Sequence, residues 1–276
     1  MDLTTEVERN VRSALAEDVG PGDWTALLTP EAQTATARIV CRGAAVLCGR
    51  PWVDRCFTEL DSSARIAWHA SEGDLLSPGA TVCEIEGRTR ALLSGERVSL
   101  NFLQTLSAVA TVTRAYVNAV AGTRAAIVDT RKTLPGLRHA QKYAVRIAGG
   151  TNHRLGLYDG MLIKENHVLA AGGVTRALEA ARKVAPPGVW IQIEVETRAQ
   201  LQEALQAGAT MILLDNMSIE DMRGAVEHTA GRAQLEASGG ITLKNVRAIA
   251  ETGVDRISIG SLTKDIQAVD LSMRFV

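Results

Sequence analysis

The chain is short of the features that would settle its class at a glance. It has four cysteines, Cys41, Cys48, Cys56 and Cys83, and no CxxC pair among them. That spacing argues against a zinc site or a disulfide framework and predicts buried, reduced thiols. No run of about 18 apolar residues occurs, so no membrane span is expected. The opening stretch, MDLTTEVERN, is polar and acidic, unlike a signal peptide, and a cytoplasmic location is expected. An excess of one charge is missing too. The net charge is -1, which gives no general case for nucleic acid or an anionic membrane as partner. No GxGxxG follows the first strand of the regular βα pattern, so a dinucleotide fold is not indicated.

Within this balanced chain one stretch is strongly cationic. Residues 129–167 read DTRKTLPGLRHAQKYAVRIAGGTNHRLGLYDGMLIKENH. Arg131, Lys132, Arg138, Lys142, Arg146, Arg154 and Lys164 lie there, with His139, His153 and His167. Only Asp129, Asp159 and Glu165 oppose them. The cations alternate with glycine and short apolar runs, unlike a solvated tail. Such a segment suits a pocket that holds a small, highly anionic molecule.

Two textures divide the chain. Residues 1–108 mix helix and strand signals, with helical periodicity over Thr5–Glu17 and Pro51–Leu60. Thr36–Arg42, Ala64–His69 and Thr81–Glu86 read as strands, giving a small domain of mixed α and β structure. Arg88–Val120 predicts a long bridging helix with a break near Ser107. After Gly122 a regular beat begins and runs through residues 109–264 as a second domain. Its apolar runs are Ala125–Val128, Met161–Ile163, Trp190–Ile193, Met211–Leu214, Gln234–Ala237 and Arg256–Ile259. Helical patterns lie between them, at 137–148, 174–184, 198–207, 219–228 and 243–251. This alternation predicts α/β architecture with parallel strands. Six runs are fewer than the eight of a closed β/α barrel, which leaves an incomplete barrel or further weak strands.

Each run ends on a residue with chemical capability. The ends are Asp129 with Arg131, then Lys164, Glu194, Asp215, Ser238-Gly239-Gly240 and Gly260-Ser261. Catalytic groups of a β/α barrel sit at the C-terminal ends of its strands. The two late Gly-rich turns each open a helix, the pattern of a phosphate cradle built from backbone N–H groups. Asp215 alone would also read as a helix N-cap, and His167 as a residue that caps or orients the Lys164 loop. There is no obvious nucleophile. Arg131, Lys132, His153, Arg154 and Lys164 suit carboxylates and phosphates, and Glu194 and Asp215 suit either Mg²⁺ or ribose hydroxyls. Phosphate, ribose and a polycarboxylate in one pocket suggest glycosyl transfer from a phosphorylated sugar.

Several long strings carry a resemblance. DTRKTLPGLR at 129–138, NHRLGLYDGMLIKENH at 152–167, EVE at 194–196, LLDNM at 213–217 and EASGGI at 236–241 resemble the quinolinate phosphoribosyltransferase family of NAD biosynthesis. ERVSLNFLQ at 96–104 and EDVGPGDWT at 17–25 match as well, so the resemblance spans nearly the whole chain. It implies an N-terminal α/β sandwich domain over residues 1–108. Beside it would stand an incomplete barrel of about seven strands, with residues 265–276 returning to the first domain. It implies transfer of phosphoribosyl from phosphoribosyl pyrophosphate to quinolinate with loss of CO₂, and Mg²⁺ as cofactor. Quinolinate's carboxylates would lie on Arg131, His153, Arg154 and Lys164, with Arg97 reaching in from the second subunit of a homodimer. Lys132, Glu194 and Asp215 would be catalytic and hold phosphoribosyl pyrophosphate. Its 5′-phosphate would lie on Ser238, Gly239, Gly240, Gly260 and Ser261. Where the family commonly has GALTH, this chain has Gly260-Ser261-Leu262-Thr263-Lys264, so a lysine stands in place of the histidine.

Three other readings of the same residues stand beside this one. The first is a paralogue of the same fold with a different substrate. The second is an aldolase-like barrel using Lys164 as a Schiff base, and the third a non-catalytic binder of anionic metabolites.

Overall fold

The periodicities of the sequence become helix and strand largely where they predict them. In the computed structural model, which describes residues 2–276, the chain begins with α1 (Leu3–Asp18), β1 (Thr34–Cys41), β2 (Ala45–Val46) and α2 (Arg50–Leu60). Next come β3 (Arg65–Trp68), β4 (Leu75–Leu76), β5 (Thr81–Arg88), α3 (Thr89–Ala119), β6 (Ala126–Val128) and α4 (Arg138–Ile147). Then follow β7 (Gly160–Ile163), α5 (Glu165–Ala171), α6 (Val174–Val184), β8 (Trp190–Val195), α7 (Arg198–Gln206), β9 (Met211–Asp215) and α8 (Ile219–Thr229). The last elements are β10 (Gln234–Ser238), α9 (Val246–Ala250), β11 (Arg256–Ser258), α10 (Ser261–Lys264) and β12 (Leu271–Phe275). Two compact units divide these elements. One comprises Met1–Arg114, Thr133–Gly149 and Leu262–Val276, and the other Ala115–Lys132 and Gly150–Ser261.

In the first unit, β12, β1, β5 and β3 pair antiparallel in that order, and α3 runs between two apolar clusters. Leu92, Leu100 and Leu103 join Ile39, Ile85 and Phe57 on one side. Val98, Phe102, Leu106 and Val109 join Val11, Trp52 and Val145 on the other. A helix apolar on both faces is a buried one. The expected break near Ser107 is absent, because the Ser107 hydroxyl is spent laterally. It accepts from the Cys48 N–H at 3.0 Å and donates to the Cys48 carbonyl at 3.1 Å, so α3 keeps its own ladder. The four cysteines are free and buried, as their spacing predicts.

α4, read from the alternation as a helix between parallel strands, belongs to this first unit. Its Ala140, Ala144 and Val145 lie in the Trp52 cluster, and buried Gln141 donates to the Thr263 carbonyl at 2.9 Å. Trp52 is fully buried, faces Phe102 and Tyr143, and donates its indole N–H to Asn10 Oδ1 at 3.1 Å. Trp52→Ala is therefore expected to cost about 3–5 kcal/mol, the usual range for emptying a large aromatic from a core. It would also strand the Asn10 amide. Urea unfolding followed by far-UV circular dichroism checks the cost.

The second unit is a parallel sheet with strand order β6-β11-β10-β9-β8-β7. Thr151 adds a single bridge beside Val128, so a seventh strand is reduced to one residue. No further ladder closes the sheet among the described residues, and the α/β class with an incomplete barrel holds as expected. Among the described residues no helix is long and apolar enough to cross a membrane.

Candidate active site

Register decides which side chains share a face of the parallel sheet. Glu194 pairs with Leu213, Leu213 with Glu236, and Glu236 with Arg256. Asp215 pairs with Ser238, and Ser258 with Val128. Side chains of paired residues point to the same side, and alternate residues repeat it. One face therefore carries Gln192, Glu194, Asp215, Glu236, Ser238, Arg256 and Ser258, a polar row along apolar strands.

The sequence-predicted residues of the second unit gather at the C-terminal ends of these strands. Lys164 follows β7 and is the N-cap of α5. Its N–H donates to His167 Nδ1 at 3.0 Å, so His167 does orient the Lys164 loop. Glu194 lies in β8, Asp215 closes β9 and Ser238 closes β10. Helix α8 is capped by Ser218, whose hydroxyl accepts the Asp221 N–H at 3.1 Å. Asp215 is thus left out of the cap and available for other work. Gly260 follows β11, and a Cβ added there would come 2.9 Å from Lys132 Cδ. The backbone at Gly260 and the Lys132 side chain are therefore in contact, and Ser261 opens α10. Arg97 lies in the other unit, as an exposed residue of α3.

Buried Asp129 holds the cationic loop. Its Oδ1 accepts the His153 N–H at 2.8 Å and its Oδ2 accepts the Asn152 amide at 2.6 Å. Asp159 closes the next turn by accepting the Leu155 and Gly156 N–H groups at 2.7 and 2.9 Å. Between these two anchors stands Arg154, buried, with one guanidinium nitrogen donating to the Gly160 carbonyl at 3.2 Å. Burial and the neighbouring Arg131 guanidinium hold Arg154 below its ordinary pKa, while Asp159 opposes them.

His153 is buried beneath this loop, edge-on to Trp190 with ring centroids 5.0 Å apart. Its Nδ1 accepts the Arg154 N–H at 2.8 Å, which leaves the proton on Nε2. Nε2 then donates to Gln192 Oε1 at 2.9 Å, and Gln192 Nε2 donates to Glu236 Oε2 at 3.1 Å. Arg256 Nε sits 3.3 Å from the same Glu236 oxygen and balances its charge. Gln192, Glu236 and Arg256 carry no role in the sequence reading. The signal for Gln192 and Glu236 was present in the alternation: IQIEV and QLEAS place polar residues at every second position of apolar strands.

Glu194 is the strained acid of the set. Burial comes first among the causes that push its carboxyl up to about 7, with Lys164 opposing and Asp215 and Glu165 adding like charge. The folded carboxyl keeps its proton to higher pH than an unfolded one, so ionising it costs stability. Stability of the ligand-free protein is therefore expected to fall as pH rises from about 4.5 to about 7. Glu194→Gln should unfold at a higher temperature than wild type above that window and converge with it below. Thermal unfolding of metal-free protein across pH checks this, and parallel curves would contradict it.

Comparison with other proteins agrees with this geometry. A two-unit α/β chain with a phosphate-type strand edge fits a phosphoribosyl-transferring enzyme class. Residues 23–107 match the quinolinate phosphoribosyl transferase N-terminal domain, and residues 109–274 match the C-terminal domain. The chain belongs to the quinolinate phosphoribosyltransferase family. It is 43% identical over 257 residues to a probable carboxylating nicotinate-nucleotide pyrophosphorylase of Bacillus subtilis, covering 93% of this chain and 89% of that one. The Mycobacterium leprae carboxylating nicotinate-nucleotide pyrophosphorylase is 41% identical, with 95% of each chain covered. The structure of the Francisella tularensis nicotinate-nucleotide pyrophosphorylase superposes with a TM-score of 0.96 at 42% identity, covering 100% of this chain and 98% of that one.

Proposed function

We propose that this chain is a decarboxylating quinolinate phosphoribosyltransferase. It joins phosphoribosyl pyrophosphate and quinolinate to give nicotinate mononucleotide, CO₂ and pyrophosphate, a step of NAD biosynthesis in the cytoplasm. One observation carries the reading of the site. Taken in strand order, the sheet edge reads Lys132 after β6, Gly260 after β11, Ser238-Gly239 after β10, then Asp215, Glu194 and Lys164. A phosphate cradle therefore adjoins a pair of acids, and the acids adjoin a cation. Phosphoribosyl pyrophosphate and an acidic pyridine present phosphate, ribose hydroxyls and carboxylate in that same order.

On this reading Ser238, Gly239, Gly240, Gly260 and Ser261 hold the 5′-phosphate through backbone and hydroxyl donors. Asp215 and Glu194 accept from the ribose hydroxyls. Arg131, Arg154 and Lys164 pair with the quinolinate carboxylates, and His153 lines the clamp while fixing Arg154 through Nδ1. The enzyme works as a homodimer, and Arg97 of the partner subunit completes the clamp.

Glu194 and Asp215 also suit Mg²⁺, which favours one or two carboxylates beside substrate phosphates and water. Among the described residues no group of three or more His, Cys, Asp or Glu side chains is arranged to hold a metal ion. Glu194 and Asp215 would hold Mg²⁺, directly or through water, and when bound it would supply positive charge for the departing pyrophosphate.

Lys132 and the clamp supply the remaining positive charge. As the C1–O bond lengthens, the ribose gains oxocarbenium character. Glu194 and Asp215 stabilise that character electrostatically. The quinolinate nitrogen, held by its carboxylates, donates its lone pair to C1 and pyrophosphate leaves with the C–O pair. The ring is then a pyridinium, and the C2–carboxylate bond breaks to release CO₂. The electron pair stays on C2 beside the cationic nitrogen until it takes a proton from water. Nicotinate lacks the 2-carboxylate and would leave buried guanidinium charge unpaired, so it is excluded.

Labelled CO₂ from 2-carboxyl-labelled quinolinate tests the reading directly. Release is expected only with both phosphoribosyl pyrophosphate and Mg²⁺, with nicotinate inert by product chromatography. Folded, dimeric protein that releases none would overturn it.

A further inference from the structure

Asp215 is followed by a residue with an unusual backbone. Asn216 has φ +53°, in the left-handed region that only glycine, and asparagine or aspartate among the rest, enter readily. Three contacts come from that conformation. The Asn216 backbone N–H donates to the Ser238 carbonyl at 2.9 Å, extending the β9–β10 ladder by one step beyond Asp215. Its side-chain amide turns back and donates to Asp215 Oδ2 at 2.7 Å. Its Oδ1 lies over Gly239, where an added Cβ would overlap both Oδ1 and the side-chain carbon behind it. Gly239 itself has φ +100°. One carboxamide therefore touches the acid on one strand end and fills the space above the Gly-Gly turn on the next.

We propose that Asn216 is a positioning residue that locks the ribose-binding acid to the phosphate turn. The inference rests on the reading of the site given above. A carboxylate has two oxygens, and with Oδ2 held by Asn216 the Asp215 group is fixed in rotation, leaving Oδ1 for a substrate hydroxyl. The same side chain forbids any residue larger than glycine at 239, so turn and acid keep a constant separation. The substrate part that spans both is the ribose 5-phosphate. Loss of the carboxamide should therefore weaken phosphoribosyl pyrophosphate and spare quinolinate.

Asn216→Gly keeps the left-handed backbone and deletes only the carboxamide. KM for phosphoribosyl pyrophosphate is expected to rise roughly ten- to hundredfold, the range for one hydrogen bond to a charged group. KM for quinolinate and the unfolding temperature should stay near wild type. Asn216→Asp keeps the shape but sets an acceptor against Asp215, so it should lose at least as much. Gly239→Ala should cost less in the Asn216→Gly background than in wild type, because the overlap is gone. A KM for phosphoribosyl pyrophosphate within about twofold of wild type in Asn216→Gly, an equal rise for both substrates, or strict additivity of the two changes would each overturn the proposal. Wild-type protein with no transferase activity would instead sink the functional reading on which it rests.

Discussion

The buried carboxylate of Asp129 is the constraint on which the rest of the site depends. It follows β6 and spends both oxygens on the segment after Thr151, one on a backbone N–H and one on the Asn152 amide. A buried carboxylate left unsatisfied would be costly, and here the need is met by a loop that would otherwise have little reason to stay. From that anchor His153 is turned beneath the loop and Arg154 is presented with its guanidinium half spent on the Gly160 carbonyl. Arg154 and His153 are thus placed from the backbone upward, both buried, while Lys164 stands exposed.

What Asp129 holds in place is electrostatically uneasy. Arg154 has Arg131 as a neighbour and Glu194 has Asp215 and Glu165, and burial together with that like charge shifts Arg154 down and Glu194 up. Such clustering opposes folding and persists only where the surrounding structure fixes it. The same strain favours binding. On the proposed reading, an anion with two carboxylates would relieve the guanidiniums, and an electron-poor ribose the acids. The protein therefore has complementary charge ready before either substrate arrives, and little needs to reorganise as charge develops.

Much of this was legible in the sequence, because parallel strands advertise themselves by apolar runs and their ends by abrupt polarity. Lys164, Glu194, Asp215 and Ser238 fall at strand ends on that rule alone. What was not legible depends on lateral pairing. Ser107 looks like a helix breaker until its hydroxyl is seen exchanging hydrogen bonds with Cys48. α4 has the period of a crossover helix, yet its apolar face joins the Trp52 cluster of the first unit. Gln192 and Glu236 look like imperfections in buried strands, and only the register turns them into a chain from His153 to Arg256. Asn216 reads as an ordinary turn residue. Its role lies in a backbone angle, which composition does not encode.

The order of groups along the sheet edge shows most plainly why sequence and site differ. In the chain, Lys132 comes first and Gly260 last, separated by nearly the whole second unit. In the sheet they are neighbours, because β11 pairs with β6, and the Lys132 side chain lies against Gly260. Crossovers carry the chain strand by strand from β7 to β11, and β11 then pairs with β6. The Gly-rich turns after β10 and β11, contributed last, consequently stand between a lysine contributed first and the acids contributed midway. An order of cation, Gly-rich turn, acid and cation again thus arises from topology. No local motif contains it. Strand ends lie about 4.8 Å apart, so on the proposed reading each chemical group of an extended substrate would meet its own strand.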